Sequence, residues 1–208
     1  MYSVRETADI YSKITKPKFV DTLDKSHVDW MHNVLEGKKE TELCLFENDH
    51  FKLQKDYKFN EGDLSTLYLL AMPKAAPTKQ LHSIRDLTAD HLPVLKSICE
   101  ESYKVIQEKY GIPSHKIYAY FHYLPTYWLL HIHFVHVDKA SRDAREQIPL
   151  EAAIFNLEMN NQYYKLATLQ YTVGDRHDLF KVLLAEGILT EYVDPKETIK
   201  PQGETEVD

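Results

Sequence analysis

Two histidines stand two positions apart in the strongly apolar segment Trp128-Leu129-Leu130-His131-Ile132-His133-Phe134. In an extended strand alternate side chains share a face, so we expect His131 and His133 side by side, with the apolar residues between them facing a core. A neutral imidazole is a competent nucleophile at physiological pH, and a second imidazole can donate a hydrogen bond to a phosphate oxygen. The spacing therefore favours phosphate chemistry over the alternative, a pair of histidines with a purely structural role.

Metal binding is the first rival explanation, because imidazole is a common zinc ligand. Two histidines supply only two ligands, and no cysteine or carboxylate stands at a spacing that suggests a third. Cys44 and Cys99 lie far apart among apolar neighbours, as is typical of small buried hydrophobic residues. The sequence also has neither a glycine-rich phosphate loop nor a dinucleotide-binding fingerprint. We therefore expect neither a metal nor a cofactor.

Composition limits the kind of partner. The 208 residues carry a formal charge of −7, which argues against a protein that grips long stretches of phosphate backbone but is compatible with one small nucleotide in a pocket. Hydrophobic residues make up 43% and charged residues 27% of the chain, as in soluble globular proteins. No apolar run approaches the roughly 18 residues of a membrane span, and the first residues do not have the pattern of a secretion signal. No membrane partner is expected.

Hydrophobic periodicity and turn residues divide the chain into alternating elements. The predicted helices are 28–35, 149–157, 176–186 and a long helix that is entered at 86–88, with Thr88 as its cap and Asp90 in its first turn, and runs up to Gly111. The predicted strands are 43–46, 51–59, 67–72, 116–122 and 129–137. Glycine at position 111 is the predicted stop of the long helix. This order predicts an α+β fold, an antiparallel sheet with helices packed on it.

Three segments carry a resemblance to a known family: 83–88 (SIRDLT), 91–95 (HLPVL) and 122–127 (HYLPTY), the last of which leads into His131-Ile132-His133-Phe134. Together they closely resemble the C-terminal catalytic domain of the scavenger mRNA decapping enzymes, which belong to the histidine triad (HIT) superfamily. The resemblance implies a HIT-like sheet, a small N-terminal strand and helix extension, and no metal. It divides the chain into an extension over 1–60 that contributes to the nucleotide pocket, a catalytic domain over 61–190 and a mobile acidic tail over 191–208.

The activity that the resemblance implies is hydrolysis of the cap triphosphate. The family releases 7-methylguanosine monophosphate from the cap dinucleotide or short capped oligonucleotides, through a nucleotidyl-histidine intermediate. Counting from the 122–127 motif, the central, attacking histidine is His131 and the third is His133. The first histidine of the family is replaced by Leu129, whose backbone carbonyl could still orient an imidazole.

The resemblance also implies the residues of a cap pocket. Trp30 matches the tryptophan that stacks on the methylated base, which N7-methylation makes cationic and therefore attractive to an indole face. Glu40 matches the group that reads the guanine edge. The remaining predicted contacts, to guanine or to the phosphates, are Asp56, Lys58, Tyr68, His122, Thr126 and Tyr127.

Two alternatives remain open at this point. The family also has an N-terminal domain that closes over the site, and this chain begins at about the point where the catalytic half of the family begins. That observation and Leu129 motivate a catalytically weak cap-binding or regulatory module, while a HIT hydrolase for other nucleotides is a further possibility. The expected partners are the cap nucleotide, short capped RNA fragments and a second copy of the chain, in the cytoplasm and also the nucleus.

Overall fold

Antiparallel pairing of six strands builds the sheet at the centre of the protein. The computed structural model describes residues 1–74, 81–140 and 147–192. The strands are β1 (Tyr2–Glu6), β2 (Cys44–Glu47), β3 (Phe51–Lys55), β4 (Tyr68–Pro73), β5 (Ile117–His122), β6 (Ile132–His136), β7 (Gln147–Pro149) and β8 (Leu169–Val173). The central sheet has the order β2-β3-β4-β6-β5-β7, and β1 pairs with β8 in a separate antiparallel ribbon.

Helices pack on both faces of the sheet and beside it. They are α1 (Ala8–Ile10), α2 (Lys16–Lys18), α3 (Asp29–Leu35), α4 (Leu92–Tyr110), α5 (Val137–Ala140), α6 (Leu150–Met159), α7 (Tyr163–Leu166) and α8 (Asp178–Ala185), with a π-helical turn over Tyr11–Thr15 between the first two. The long helix α4 buries Leu95, Ile98 and Ile106 in the main core. The predicted α+β architecture is confirmed. No helix in the described ranges is long and apolar enough to cross a membrane.

The alternation of β6 separates the core from the opposite face of the sheet. Ile132 and Phe134 are fully buried in the main core cluster, while His133 pairs with Leu70 of β4 and Tyr120 of β5. Residues directly opposite in an antiparallel sheet share a face, so His133 lies between Leu70 and Tyr120 on the face away from α4. The predicted separation of the histidine face from the apolar face is thus present in the sheet.

Two strand predictions were too long. The strand predicted over 129–137 begins at Ile132, because the Leu130 amide donates to the carbonyl of Leu81, outside the sheet, at 2.7 Å. The strand predicted over 51–59 ends at Lys55, because Asp56 accepts a hydrogen bond from the Lys58 amide at 2.9 Å and so forms a local turn. Neither boundary could be read from hydrophobicity alone.

The ends of the chain were not predicted in detail. Strands β1 and β8 pair along their whole length, from Tyr2 with Val173 to Glu6 with Leu169, and no prediction covered either strand. The proposed division near residue 60 stays a prediction, and β3 before it pairs with β4 after it. Most of the predicted mobile tail, from residue 193 onward, lies outside the described residues.

Helix α4 ends at the glycine that the sequence predicted. Gly111 has φ +68°, its amide donates to the carbonyl of Gln107 at 3.0 Å, and an added Cβ would meet no atom within 4 Å. We expect Gly111→Ala to lower the free energy of unfolding by about 1 kcal/mol. The added methyl group meets no neighbouring atom, so the loss comes only from the left-handed backbone conformation, which is unfavourable for alanine. Urea titration measures this change.

Gly174→Ala is the matched control for that substitution. Gly174 has no positive φ, and its added Cβ would make an ordinary contact with the Met1 sulfur at 3.5 Å. Equal losses in the two variants would contradict the backbone explanation.

Candidate active site

A cavity of about 420 Å³ opens on the sheet face that carries His133. Its volume lies in the range of about 300–1,000 Å³ that small-molecule sites occupy. All ten residues predicted for the site line it, together with three others, in the set Trp30, Met31, Glu40, Asp56, Tyr57, Lys58, Tyr68, Leu70, His122, Thr126, Tyr127, His131 and His133. The structure therefore brings the predicted residues together in one place, whereas their individual roles stay predictions.

Three buried imidazoles form one part of the cavity lining. The ring centroids of His122 and His133 are 4.5 Å apart, and those of His131 and His133 are 4.9 Å apart. All three side chains are buried. His122 belongs to β5, whose residue Tyr120 pairs with His133 of β6, so the sheet register brings the β5 histidine beside His133. His131 lies directly before β6.

The orientation of the His131 ring is set by the backbone of Leu129. Its Nδ1 lies 2.7 Å from the Leu129 carbonyl oxygen. Because a carbonyl oxygen only accepts, Nδ1 carries a proton in this contact, and the neutral ring has its lone pair on Nε2. The orienting contact expected from the sequence is present, although the side chain at position 129 is not a histidine.

The Leu129 side chain packs away from the cavity. It is 6% exposed and belongs to a small apolar cluster with Met31, Val34 and Met72, between α3 and the sheet. It is absent from the described residues that line the cavity. Position 129 therefore serves the site through its carbonyl and serves the fold through its side chain.

Two tyrosines hold the ring of His133 on both sides. Tyr120 stacks on it at 5.2 Å with an interplanar angle of 16°, and Tyr68 meets its edge at 5.5 Å and 84°. The Lys58 ammonium lies 4.6 Å from the centre of the Tyr68 ring. Such packing limits ring rotation, so His133 has a fixed place relative to His131.

An indole and a carboxylate form another part of the cavity lining. Trp30 Nε1 donates to Glu40 Oε1 at 2.5 Å, and Gln54 Nε2 donates to Glu40 Oε2 at 3.1 Å. Glu40 has the left-handed backbone conformation, with φ 53°, immediately before a 3₁₀ turn. The carboxylate therefore orients the indole of Trp30 and is itself held from β3. The predicted roles of Trp30 and Glu40 did not include this contact.

Asp56 and Lys58 lie where the chain leaves β3. Burial raises the pKa of the Asp56 carboxyl above its usual value, while the hydrogen bond from the Lys58 amide and the charge of Lys58 oppose that rise. Lys58 is exposed and reaches over the rings of Tyr57 and Tyr68. The turn therefore presents one carboxylate and one ammonium to the same cavity.

Thr126 and Tyr127 belong to the exposed loop after β5. His27 Nε2 lies 2.9 Å from the Thr126 carbonyl oxygen, and the His27 ring contacts Tyr127 at 5.5 Å. The Tyr127 ring also lies 5.7 Å from Trp30. The segment before α3 thus supports the loop, and Tyr127 lies between His27 and the indole of Trp30.

Several residues of the site were missed by sequence reasoning. Met31, Tyr57 and Leu70 line the cavity, while Tyr120 and Gln54 support it from behind. Leu70 and Tyr120 could have been found from the pairing of their strands with β6, but that register was not predicted. Among the residues that the structure describes, no group of three or more His, Cys, Asp or Glu side chains is arranged to hold a metal ion.

Comparison with known proteins finds relatives that share one name, m7GpppX diphosphatase. The m7GpppX diphosphatase of Ascaris suum is 32% identical over 186 residues, which are 86% of this chain and 60% of that protein. The m7GpppX diphosphatase of Mus musculus is 34% identical over 186 residues, 86% of this chain and 54% of that protein. The chain therefore spans little more than half the length of these relatives.

A solved structure of the aprataxin orthologue Hnt3 in complex with DNA aligns with a TM-score of 0.43 at 16% identity, over 64% of this chain and 74% of that chain. A superposition of that quality says nothing about what this chain binds.

The family model described as "Scavenger mRNA decapping enzyme C-term binding" matches residues 29–148. This range is more than half of the 208 residues and contains every predicted site residue from Trp30 to His133. On that match, the chain belongs to the family of the C-terminal domain of scavenger mRNA decapping enzymes.

Proposed function

We propose that this chain is a scavenger-type cap pyrophosphatase, which hydrolyses the 7-methylguanosine cap dinucleotide or short capped oligonucleotides to 7-methylguanosine monophosphate. The names of its relatives support this proposal. The observation that carries it is the oriented ring of His131, placed in one cavity with an indole and a carboxylate suited to a cationic base. A nucleophile and a base-binding end within one small cavity fit a short ligand.

The first step of the proposed reaction uses the lone pair of His131. Nε2 attacks the phosphorus next to the 7-methylguanosine, an N–P bond forms, and the bond to the bridging oxygen breaks so that the rest of the nucleotide leaves as its diphosphate. The Leu129 carbonyl stabilises the Nδ1 proton as positive charge develops on the ring. Catalysis of this kind depends mostly on position and on donors for the phosphate oxygens.

In the second step water attacks the same phosphorus and the N–P bond breaks. The products are 7-methylguanosine monophosphate and the neutral His131 ring, and the proton of the water goes to the released phosphate or to solvent. His133, fixed between Tyr120 and Tyr68, donates to a phosphate oxygen during both steps. Lys58, Thr126 and Tyr127 supply further polar contacts around the chain of phosphates.

Base recognition is assigned to the part of the cavity formed by the indole and the carboxylate. A methylated guanine carries a positive charge, which favours the face of Trp30. Glu40 accepts from the guanine N1 and N2 donors in this proposal, and Asp56 adds a second acceptor nearby. The contact between Glu40 and Trp30 makes the two recognition elements one unit.

A second candidate is a cap-binding module with weak or no catalysis. The apolar packing of Leu129 favours it, since the side chain that the family uses as its first histidine is absent. The two candidates share the cap nucleotide as ligand and differ in turnover. Short capped fragments and a second copy of the chain as partners, and a location in the cytoplasm and the nucleus, stay predictions.

His131→Asn tests the nucleophile. We expect it to lower kcat on methylated cap dinucleotide by more than about a thousandfold, since an amide cannot form the intermediate. Mass spectrometry of released 7-methylguanosine monophosphate measures the turnover. His136→Asn is the matched control, because His136 lies on β6, five residues after His131, but does not line the cavity among the described residues, and it should keep its activity. No turnover by the unmodified chain would leave the binding module as the better proposal.

Substitutions at Trp30 test base recognition. We expect Trp30→Leu to weaken binding of 7-methylguanosine diphosphate by at least about tenfold, since a desolvated cation–π contact contributes up to about 2 kcal/mol. Trp30→Phe keeps an aromatic face and should retain part of the preference for the methylated over the unmethylated nucleotide. Calorimetric titration with the methylated and the unmethylated nucleotide measures both affinities. Equal affinities of the unmodified chain for the methylated and the unmethylated nucleotide would contradict cap specificity. Competition by adenosine nucleotides would then point to another class of substrate.

Leu129→His tests whether the missing first histidine of the family matters for the reaction. We expect a loss of about 1–3 kcal/mol in the free energy of unfolding, because a polar ring enters the apolar cluster of Met31 and Met72. We expect kcat to change by less than about threefold, because the orienting carbonyl is already in place. Denaturant titration and cap turnover are measured on the same preparation. A tenfold rise in kcat would show that the side chain at 129 belongs to the reaction.

A further inference from the structure

A buried carboxylate lies behind the site, on the N-terminal strand β1. Glu6 is 0% exposed, and its Oε1 accepts hydrogen bonds from the Tyr123 hydroxyl and from Arg85 Nη2, the latter at 2.9 Å. Its Oε2 accepts from Thr15 Oγ1 at 2.7 Å and from the Tyr171 hydroxyl at 3.3 Å. These five residues, Glu6, Thr15, Arg85, Tyr123 and Tyr171, are called the Glu6 cluster below.

Arg85 binds more than the carboxylate. Its Nη2 donates to the Glu6 carbonyl at 2.8 Å, and its Nη1 donates to the carbonyls of Tyr164 and Ala167 at 2.9 and 2.6 Å. Burial, followed by the nearby Glu6 carboxylate, raises the pKa of Tyr123 well above its usual value, so its hydroxyl stays a donor. The cluster is therefore charged, almost fully desolvated and extensively hydrogen-bonded.

Stability alone is a weak explanation for such a cluster. Removing two charges from water is costly, and well-packed apolar residues often stabilise a fold as well as a buried ion pair does. What a buried ion pair adds is a fixed geometry, because its hydrogen bonds have few alternatives in an apolar interior. The parts of the chain that this geometry fixes are therefore informative.

The Glu6 cluster holds both segments that carry the imidazoles. Tyr123 directly follows His122 and begins the loop that leads to Thr126. Arg85 lies in the turn after Leu81, whose carbonyl accepts from the Leu130 amide at 2.7 Å, one residue before His131. Residues 82–84 of this turn surround a small space of about 10 Å³ together with His122 and His131, so little room is left for either ring to retreat.

We propose that Glu6 positions His122 and His131 for the reaction through its bonds to Tyr123 and Arg85, with Tyr123 as the positioning residue for the loop. Thr15 and Tyr171 bind the other carboxylate oxygen and hold Glu6 in the core. The inference rests on the proposed function for its kinetic consequence. It adds to the site a residue on β1, outside the range 29–148 that the family model matches. Displacement of reacting groups by about 1 Å can lower a rate by up to about a hundredfold, so a loosened loop is expected to act on kcat.

The test compares two tyrosines that donate to the same carboxylate. Tyr123→Phe removes the hydroxyl on the side of the loop, and Tyr171→Phe removes the one on β8, while both keep a ring in the core. Thermal unfolding is expected to shift in the same direction in both variants. On methylated cap dinucleotide, at a temperature where both are folded, Tyr123→Phe should lower kcat about tenfold with little change in KM.

Tyr171→Phe should keep kcat within about twofold of the unmodified chain. Equal kcat values for the two variants, whether both unchanged or both reduced, would overturn the positioning role and leave the cluster as a part of the core. A change confined to KM in Tyr123→Phe would overturn it as well, because the displaced group would then be one that binds the substrate.

A measurement that needs no catalytic turnover tests the positioning role independently of the proposed function. Two-bond ¹H–¹⁵N spectra of histidine-labelled protein report each imidazole directly. The signals of His122 and His131 should move in Tyr123→Phe and stay in place in Tyr171→Phe. If the unmodified chain does not hydrolyse the cap, the proposed function fails. The spectra still test the positioning role in that case. Equal spectra for the two variants would overturn it.

Discussion

The pairing of β6 with its two neighbours is the constraint on which the site depends. Because side chains alternate along a strand, the register that buries Ile132 and Phe134 in the core also places His133 between Leu70 and Tyr120 on the other face. A slip of one residue would exchange the two faces and bury imidazoles where phenylalanine now packs. The site is thus specified by the same hydrophobic contacts that specify the fold, and core packing limits how far it can drift.

The contact between the His131 ring and the Leu129 carbonyl shows that the backbone orients this imidazole, whatever side chain stands at position 129. An orienting group is needed beside a nucleophilic imidazole, because it fixes both the ring and the tautomer. Here the backbone supplies that group, at 2.7 Å, and the side chain is left to pack with Met31 and Met72. Loss of the family's first histidine therefore removes one polar side chain without removing the orientation of the next.

Local patterns predicted most elements, and long-range contacts were beyond them. Apolar spacing and a terminal glycine predicted the long helix α4 and its end, although it begins at Leu92, after a 3₁₀ turn over Ala89–His91, and not directly after Thr88. All predicted site residues meet in one cavity. The pairing of β1 with β8 joins segments more than 160 residues apart. The alternation of β8, LQYTV, could have predicted a strand, but no local pattern indicates which strand it pairs with. The ion pair between Arg85 and Glu6 could not be predicted either, because no spacing rule connects two single charged residues 79 positions apart. The resemblance to a family identified the residues of the pocket, whereas their hydrogen bonds had to come from the structure.

The charges of the cavity match a ligand with separated charges better than they match a polyanion. The protein as a whole is acidic, at −7, and Lys58 is the one lysine or arginine among the described residues lining the cavity. The carboxylates of Glu40 and Asp56 line the same cavity, Glu40 bonded to the indole of Trp30, while the imidazoles gather around His133. In the proposed site a cationic base lies against the carboxylates, while the imidazoles, Lys58 and the hydroxyls of Thr126 and Tyr127 meet the phosphates. Because one lysine faces two carboxylates among the described lining residues, a general attraction for phosphate would contribute little to binding in this cavity.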